Sequence, residues 1–268
     1  MTAFLVFTVC APHGAWGAAS QSSATMAYKA TELDPSQSAL IGLIGAALGL
    51  ERSRLGELAA ALRLSVRVGV RPERDPRPDY QTVTRGAPPP GRSHWSRFEE
   101  VRGFLAGTVS EGSLLSRREY WTAGLWTVAV ERREDGDWPL ETLRAALAAP
   151  RWSLHAGRKG CPLGLPPDPE LIEADSPRAA LAAYRLPWER KPALVQALEP
   201  LWRDRDEGDL LLDGDPGTPP ADAAGPVRLE RRRDRPDPMV LADGRSLPRH
   251  RERIQARMPW RREGEETR

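Results

Sequence analysis

The chain has 268 residues, 40% hydrophobic, 28% charged and 6% aromatic, a composition that excludes disordered, fibrous and membrane-embedded classes and suits a folded soluble body. Its formal net charge of +2 comes from 39 basic and 37 acidic residues, so the whole-chain balance neither demands nor excludes a polyanionic partner. Charge is distributed unevenly: residues 201–226 carry two Arg against seven acids, and residues 227–268 carry thirteen Arg against eight acids, which leaves the tail locally basic.

Residues 3–11 (AFLVFTVCA) are short, β-branched or aromatic and apolar on both faces, the pattern of a central buried strand. Followed by Ala15-Trp16-Gly17-Ala18 the segment has the outline of a signal peptide, but no Lys or Arg precedes it and His13, Trp16 and Gly17 interrupt it early. A loop is expected over 12–35. A helix then starts at Ser36, whose hydroxyl is a ready cap; Leu40, Leu43, Ile44, Ala47 and Leu48 line one face, and Gly49 offers the stop. A second helix is predicted from Ser53 to Leu62. Leu64, Val66, Val68 and Val70 alternate with Ser65, Arg67, Gly69 and Arg71 as in a half-buried strand.

Residues 72–118 lose regularity among prolines and nine Arg across 71–118, and read as an insertion projecting from the body. Alternation resumes over Tyr120–Arg132, a helix capped near Asp137 is predicted over Leu140–Ala148, and Trp152–His155 reads as a last short strand. With the insertion removed, the order is β-α-β-β-α-β, the ferredoxin-like, α+β arrangement that RNA-recognition modules also use. Beyond Gly164 come helices at Ser176–Tyr184 and Pro192–Trp202, an acidic loop, and a proline-broken basic tail able to pair as a hairpin.

The two cysteines, Cys10 and Cys161, have no paired spacing, which fits a reducing cytoplasm. His13, His94, His155 and His250 are scattered, so no metal and no cofactor is expected. There is no G-x-S-x-G elbow, and the glycines of GLIGAALG match no phosphate-binding fingerprint. Two loops mix small residues, aromatics and positive charge. The first is Pro12–Gly17 with Lys29 and the helix start at Ser36-Gln37-Ser38, where free N–H groups attract an anion and Trp16 either stacks a base or plugs the core. The second is Gly157-Arg158-Lys159-Gly160, a turn that either approaches a phosphate backbone or solvates its charges.

Five segments in order carry a resemblance: A-P-H-G-A-W-G after the first strand, P-S-Q-S-A-L-I-G-L-I-G-A-A-L-G-L (Pro35–Leu50), Asp79-Tyr80-Gln81-Thr82-Val83, Arg118-Glu119-Tyr120-Trp121, and Gly157-Arg158-Lys159-Gly160-Cys161-Pro162. Together they resemble the CasD family, the handle-binding subunit of type I-E CRISPR Cascade within the RAMP superfamily. Coverage is good from residue 2 to about 165; Arg235-Pro236-Asp237-Pro238-Met239 is similar to the family's C-terminal pattern. The resemblance implies one RAMP-type domain over 1–268, with a thumb hairpin at 79–118 and a C-terminal β/irregular extension at 165–268. It implies a non-catalytic subunit that holds the 5′ handle of crRNA, with CasC-family backbone and CasA-family large subunits as partners, target DNA reached through the assembled complex, and no membrane.

Expected RNA-binding residues are Trp16, Lys29, Ser36, Gln37 and Ser38; Arg85, Arg92, Trp95, Arg117, Arg118 and Tyr120 on the thumb and its root; and Arg158 and Lys159. Gln37 stands where a basic residue is usual, Ser36 for the common Thr and Trp121 for a common Leu, which weakens the case for a phosphate contact at Gln37. A rival expectation is a metal-independent endoribonuclease, as in type I-C relatives, with His13, Tyr28, Lys29 and His155 moving protons.

Overall fold

A computed structural model of the chain describes residues 1–18, 28–86, 111–190, 208–214, 227–240, 246–247 and 250–260. It is a mixed α+β protein dominated by antiparallel sheet. In chain order the elements are β1 (Thr2–Gly14), β2 (Trp16–Gly17), β3 (Tyr28–Lys29), β4 (Thr31–Glu32), α1 (Gln37–Leu48), a 3₁₀ turn (Arg52–Arg54), α2 (Leu55–Ala61), β5 (Leu62–Val70), β6 (Glu73–Arg74), β7 (Asp79–Gly86), β8 (Glu111–Arg118), β9 (Trp121–Arg132), α3 (Leu140–Ala148), β10 (Glu170–Ala174), α4 (Pro177–Ala183), α5 (Pro187–Arg190), β11 (Gly208–Gly214), β12 (Arg228–Pro236), β13 (Met239–Val240), β14 (Ser246–Leu247) and β15 (His250–Trp260).

The main sheet has eight strands in the order β10-β1-β9-β5-β11-β15-β12, with β6 also on β9, and every pairing is antiparallel. β1 is apolar on both sides because both sides are covered. Leu5, Phe7 and Val9 pack under α1, α2 and α3 with Ile41, Ile44, Leu58, Trp126, Val128 and Leu143. Phe4 and Val6 face a second core of Leu181, Tyr184, Leu210, Leu212, Met258 and Trp260. The same cover removes β5 from the half-buried class that its alternation predicts. Arg67 is 8% exposed and lies over the Trp260 ring, 4.8 Å from its centroid, so its charge is buried against a π face rather than solvated.

Local signals define α1 as expected. The Ser36 hydroxyl accepts from the Ala39 N–H, and Gly49 takes the left-handed conformation (φ +71°) while its N–H donates to the Ala46 carbonyl. The helix at 140–148 begins on Pro139 without a side-chain cap, not near Asp137. The expected strand Trp152–His155 is a turn region, with a single bridge from His155 to Pro162; the strand beside β1 is β10 instead. The stretch 72–118, read as irregular, holds β6 and the antiparallel pair β7–β8, whose register runs from Asp79↔Arg118 to Gly86↔Glu111. The expected helix Pro192–Trp202 lies outside the described residues.

The two charge blocks of the C-terminal part are spatial neighbours. β11, from the acidic block, pairs antiparallel with β15 from the basic one, and β15 pairs with β12. Arg257 therefore reaches Asp209 at 2.7 Å as well as Asp34, and Arg253 reaches both Asp213 and Asp234. Among the described residues, Arg235, Arg253 and Arg257 of the basic tail thus face carboxylates of other segments. Among the described residues no helix is long and apolar enough to cross a membrane.

Candidate nucleic-acid interface

The loops singled out at 12–17 and 157–160 pack on each other. The Ala15 N–H donates to the Ala156 carbonyl at 3.1 Å. Gly157 has φ +81°, and a Cβ there would stand 1.9 Å from the Ala15 carbonyl oxygen, so only glycine permits both the turn and the approach. The turn closes through Arg158 N–H to Ala156 O and Cys161 N–H to Arg158 O, leaving Lys159 exposed at its tip. Gly14 serves the first loop similarly, since a Cβ at that position would overlap the Trp121 ring at 2.2 Å.

Around this joint four positive charges gather. β3 and β8 pair in parallel with Lys29 opposite Arg118. Burial, and then the guanidinium groups of Arg118 and Arg158, hold the Lys29 ammonium below its ordinary range. Arg158 lies over the Tyr120 ring at 4.4 Å, and Tyr120 stacks on His13 with centroids 4.5 Å apart and planes 18° off parallel. Lys159 and burial lower the pKa of His155, burial being the larger cause. The Nε of Arg118 and Nη1 of Arg158 are enclosed without a hydrogen-bond partner, and among the described residues Lys29, Arg118, Arg158 and Lys159 form no ion pair with a carboxylate. The joint is a concentration of positive charge beside a stacked ring pair, a chemistry suited to anionic oxygens. An anion there would offset the part of the Lys29 shift that comes from Arg118 and Arg158, the larger part being burial.

Glu119 sets this arrangement, and sequence reasoning assigned it no role. Its carboxylate receives the Tyr28 hydroxyl and Arg74 and the Thr31 N–H at 3.0 Å, pinning β3 and β4 to the end of β8. Burial raises its carboxyl, but these three donors outweigh it and hold it below the usual carboxylate range. A depressed carboxylate contributes stability above its unfolded pKa, about 4.3 for Glu, and loses it as pH falls through the folded value. Wild type is therefore expected to exceed Glu119→Gln in urea unfolding at pH 6, with the gap closing below pH ~4; a gap independent of pH contradicts the pinning role.

Several expected site residues stand elsewhere. Trp16 is 1% exposed and closes a cluster with Trp121 and Trp126, at centroid separations of 5.4 and 5.5 Å; it is a core plug, and its ring offers no face to a base. Ser36 and Gln37 are also buried, and the hydroxyl of Ser38 lies 3.0 Å from that of Ser36. The start of α1 already holds an anion of its own: the Gln37 N–H donates to Asp234 at 3.0 Å and its side-chain amide to Asp213 at 2.7 Å. These carboxylates already occupy donors at the helix N-terminus. Arg85 has a described backbone, paired with Gly112, while Arg92 and Trp95 lie outside the described residues. Arg117 points to the opposite side of β8 from Arg118, toward Tyr80. Among the described residues, no side-chain hydrogen bond links His13, Tyr28, Lys29 and His155 to one another, and no three metal-ligating side chains converge.

This fold has counterparts. The pattern of the family described as CRISPR-associated protein (Cas_Cas5) matches residues 4–229, and the chain belongs to that family. It is similar to the CRISPR system Cascade subunit CasD of Escherichia coli (strain K12), with 28% identity over 184 residues, 69% of this chain and 78% of the relative. In solved structures it is similar to a chain of a CRISPR RNA-guided surveillance complex, with a TM-score of 0.57, 21% identity, and coverage of 96% of this chain and 90% of the other. A crystal structure described as that of a Cas protein matches with a TM-score of 0.52 and 21% identity, covering 97% and 96%.

Proposed function

We propose that the chain is a non-catalytic RNA-binding subunit of a cytoplasmic, Cascade-type CRISPR surveillance complex. It clasps the 5′ handle of crRNA beside a CasC-family backbone subunit and a CasA-family large subunit, and meets target DNA through the assembled complex. The observation that carries this reading is the gathering of Lys29, Arg118 and Arg158, with Lys159 on the same turn, beside Tyr120, none of them in an ion pair among the described residues although Asp79 lies across the ladder from Arg118. The similarity to CasD supports the complex type. A ferredoxin-like body is supported by the run β10-β1-β9-β5 with all strands antiparallel, its last strand, Glu170–Ala174, coming from the 165–268 segment expected as the C-terminal extension, and a thumb at 79–118 by the β7–β8 hairpin.

The test is RNA binding and integrity in the presence of EDTA. Purified protein, alone or with its co-purifying subunits, is expected to retain repeat-derived RNA uncut. Arg158→Glu with Lys159→Glu is expected to release it, because each reversal removes a phosphate contact and adds repulsion. Metal-independent cleavage of repeat RNA, lost on changing His13 or Lys29, would instead establish the endoribonuclease.

A further inference from the structure

The hairpin root has a second face that the cationic joint does not use. Successive residues of a strand point to opposite sides, so Lys29 and Arg118 lie on one side of the three-stranded sheet β3-β8-β7, and Tyr28, Arg117 and Tyr80 on the other. The registers Tyr28↔Arg117 and Tyr80↔Arg117 set these three side by side across the sheet. Both rings are open, Tyr28 at 43% and Tyr80 at 58% exposed, and Leu115, two residues before Arg117, is 48% exposed. The Arg117 guanidinium is 5.9 Å from the Tyr80 ring centroid. Tyr28 is held by its polar end, since its hydroxyl donates to Glu119, which Arg74 also grips. Its orientation is thus set while its face stays free.

We infer that Tyr28, Arg117 and Tyr80 form a stacking platform for unpaired bases of single-stranded RNA. This rests on the reading of the chain as an RNA subunit and names a base-contacting surface for it, on the reverse of the sheet from the phosphate-gripping cations. Three features select nucleobases over a protein surface. The rings alternate with a guanidinium, which itself stacks on bases. The carboxylate that holds Tyr28, Glu119, is spent on Tyr28, Thr31 and Arg74, leaving Arg117 to balance phosphate charge. The rings sit on strands two apart, about 10 Å, a spacing for splayed bases rather than a mutually stacked pair. The edge strand β3 carries a ring and an ammonium on consecutive residues, so one RNA strand passing over that edge meets phosphate donors on one side and rings on the other.

The test uses the full-length chain and a fluorescein-labelled single-stranded RNA of about eight nucleotides, within the span of known single-strand sites. Tyr28→Ala and Tyr80→Ala are each expected to weaken binding by about 5- to 150-fold, the range for losing one base–ring stack, with an unchanged salt slope because no phosphate contact is lost. Tyr80→Phe keeps the ring and is expected to retain affinity, which separates stacking from a hydroxyl-dependent structural role. Retained RNA affinity in both alanine variants overturns the platform, and loss of a co-purifying protein subunit at the same time would assign the face to a protein contact. If Lys29→Ala with Arg158→Ala still weakens the RNA in that case, the platform alone fails; if neither set of variants weakens it, the RNA-subunit reading fails with it.

Discussion

Replacing Arg253 by Met is expected to cost about 3–5 kcal/mol of folding stability, the penalty for stranding a buried charge. Arg253 is 3% exposed. Its Nε and Nη2 hold the two oxygens of Asp234 at 2.6 and 2.9 Å, and its Nη1 reaches Asp213 at 3.5 Å. Without it, among the described residues Asp213 and Asp234 keep the Gln37 hydrogen bonds at 2.7 and 3.0 Å and, beyond hydrogen-bond distance, the guanidinium groups of Arg235 and Arg232 at 3.7 and 3.8 Å. For a chain of this length each kcal/mol moves the melting temperature by about 2–4 °C, so a drop on the order of 10 °C is expected. Adding Asp234→Asn removes one stranded charge and is expected to restore part of the loss. Burial raises the Asp234 carboxyl, but Arg253 outweighs it and holds it below the ordinary range; its contribution is therefore complete at neutral pH and fades only in acid. A change below ~1 kcal/mol, the scale of a surface pair, would show that the network is not an anchor between the start of α1 and the C-terminal sheet.

Trp16→Ala is expected to lower stability by about 3–5 kcal/mol, the usual cost of emptying a buried aromatic site, without changing RNA affinity at temperatures where the variant stays folded. The indole fills space against Trp121 and Trp126, whose rings meet edge to face at 5.0 Å, and Gly14 and Gly124 lie directly against those two rings. A close-packed cluster of this kind does not collapse to fill the void. Chemical denaturation alongside RNA titration separates the outcomes: weaker RNA binding with unaltered unfolding would mean that the ring stacks a base after all.

What was legible in the sequence was what neighbours in the chain decide. The buried strand β1 announces itself by nine apolar or β-rich residues, and α1 by a cap at Ser36 and a left-handed stop at Gly49, each set by atoms within one helical turn. What was not legible depends on partners far along the chain. Trp152–His155 reads as a strand, but the edge beside β1 is taken by Glu170–Ala174, a segment whose own pattern is weak and whose place depends on pairing with residues 2–6. Arg67 looks like the polar face of a half-buried strand until the second core covers it.

The candidate site divides along the same line. Lys29, Arg118, Tyr120, Arg158 and Lys159 were legible as basic and aromatic residues in motif positions, and the fold brings them together. Trp16, Ser36 and Gln37 belong to the same motifs but serve packing and capping: Trp16 meets Trp121 and Trp126, more than a hundred residues away, and Gln37 meets Asp213 and Asp234, 176 and 197 residues away. The tail's excess of Arg is visible in composition, yet Arg253 and Arg257 answer acids on β11 and, for Arg257, on the loop before α1. Composition registers the charge and not its partner.

The salt dependence of RNA affinity tests the cationic joint most directly. Counterion release gives log K against log salt a slope of about −0.7 per phosphate neutralised on a single strand. Removing the three charges of Lys29, Arg118 and Arg158 together, as Lys29→Ala, Arg118→Ala and Arg158→Ala, is expected to make the slope shallower by about 2 while the protein remains folded. A slope equal to that of wild type would place the RNA elsewhere on the molecule and contradict the account.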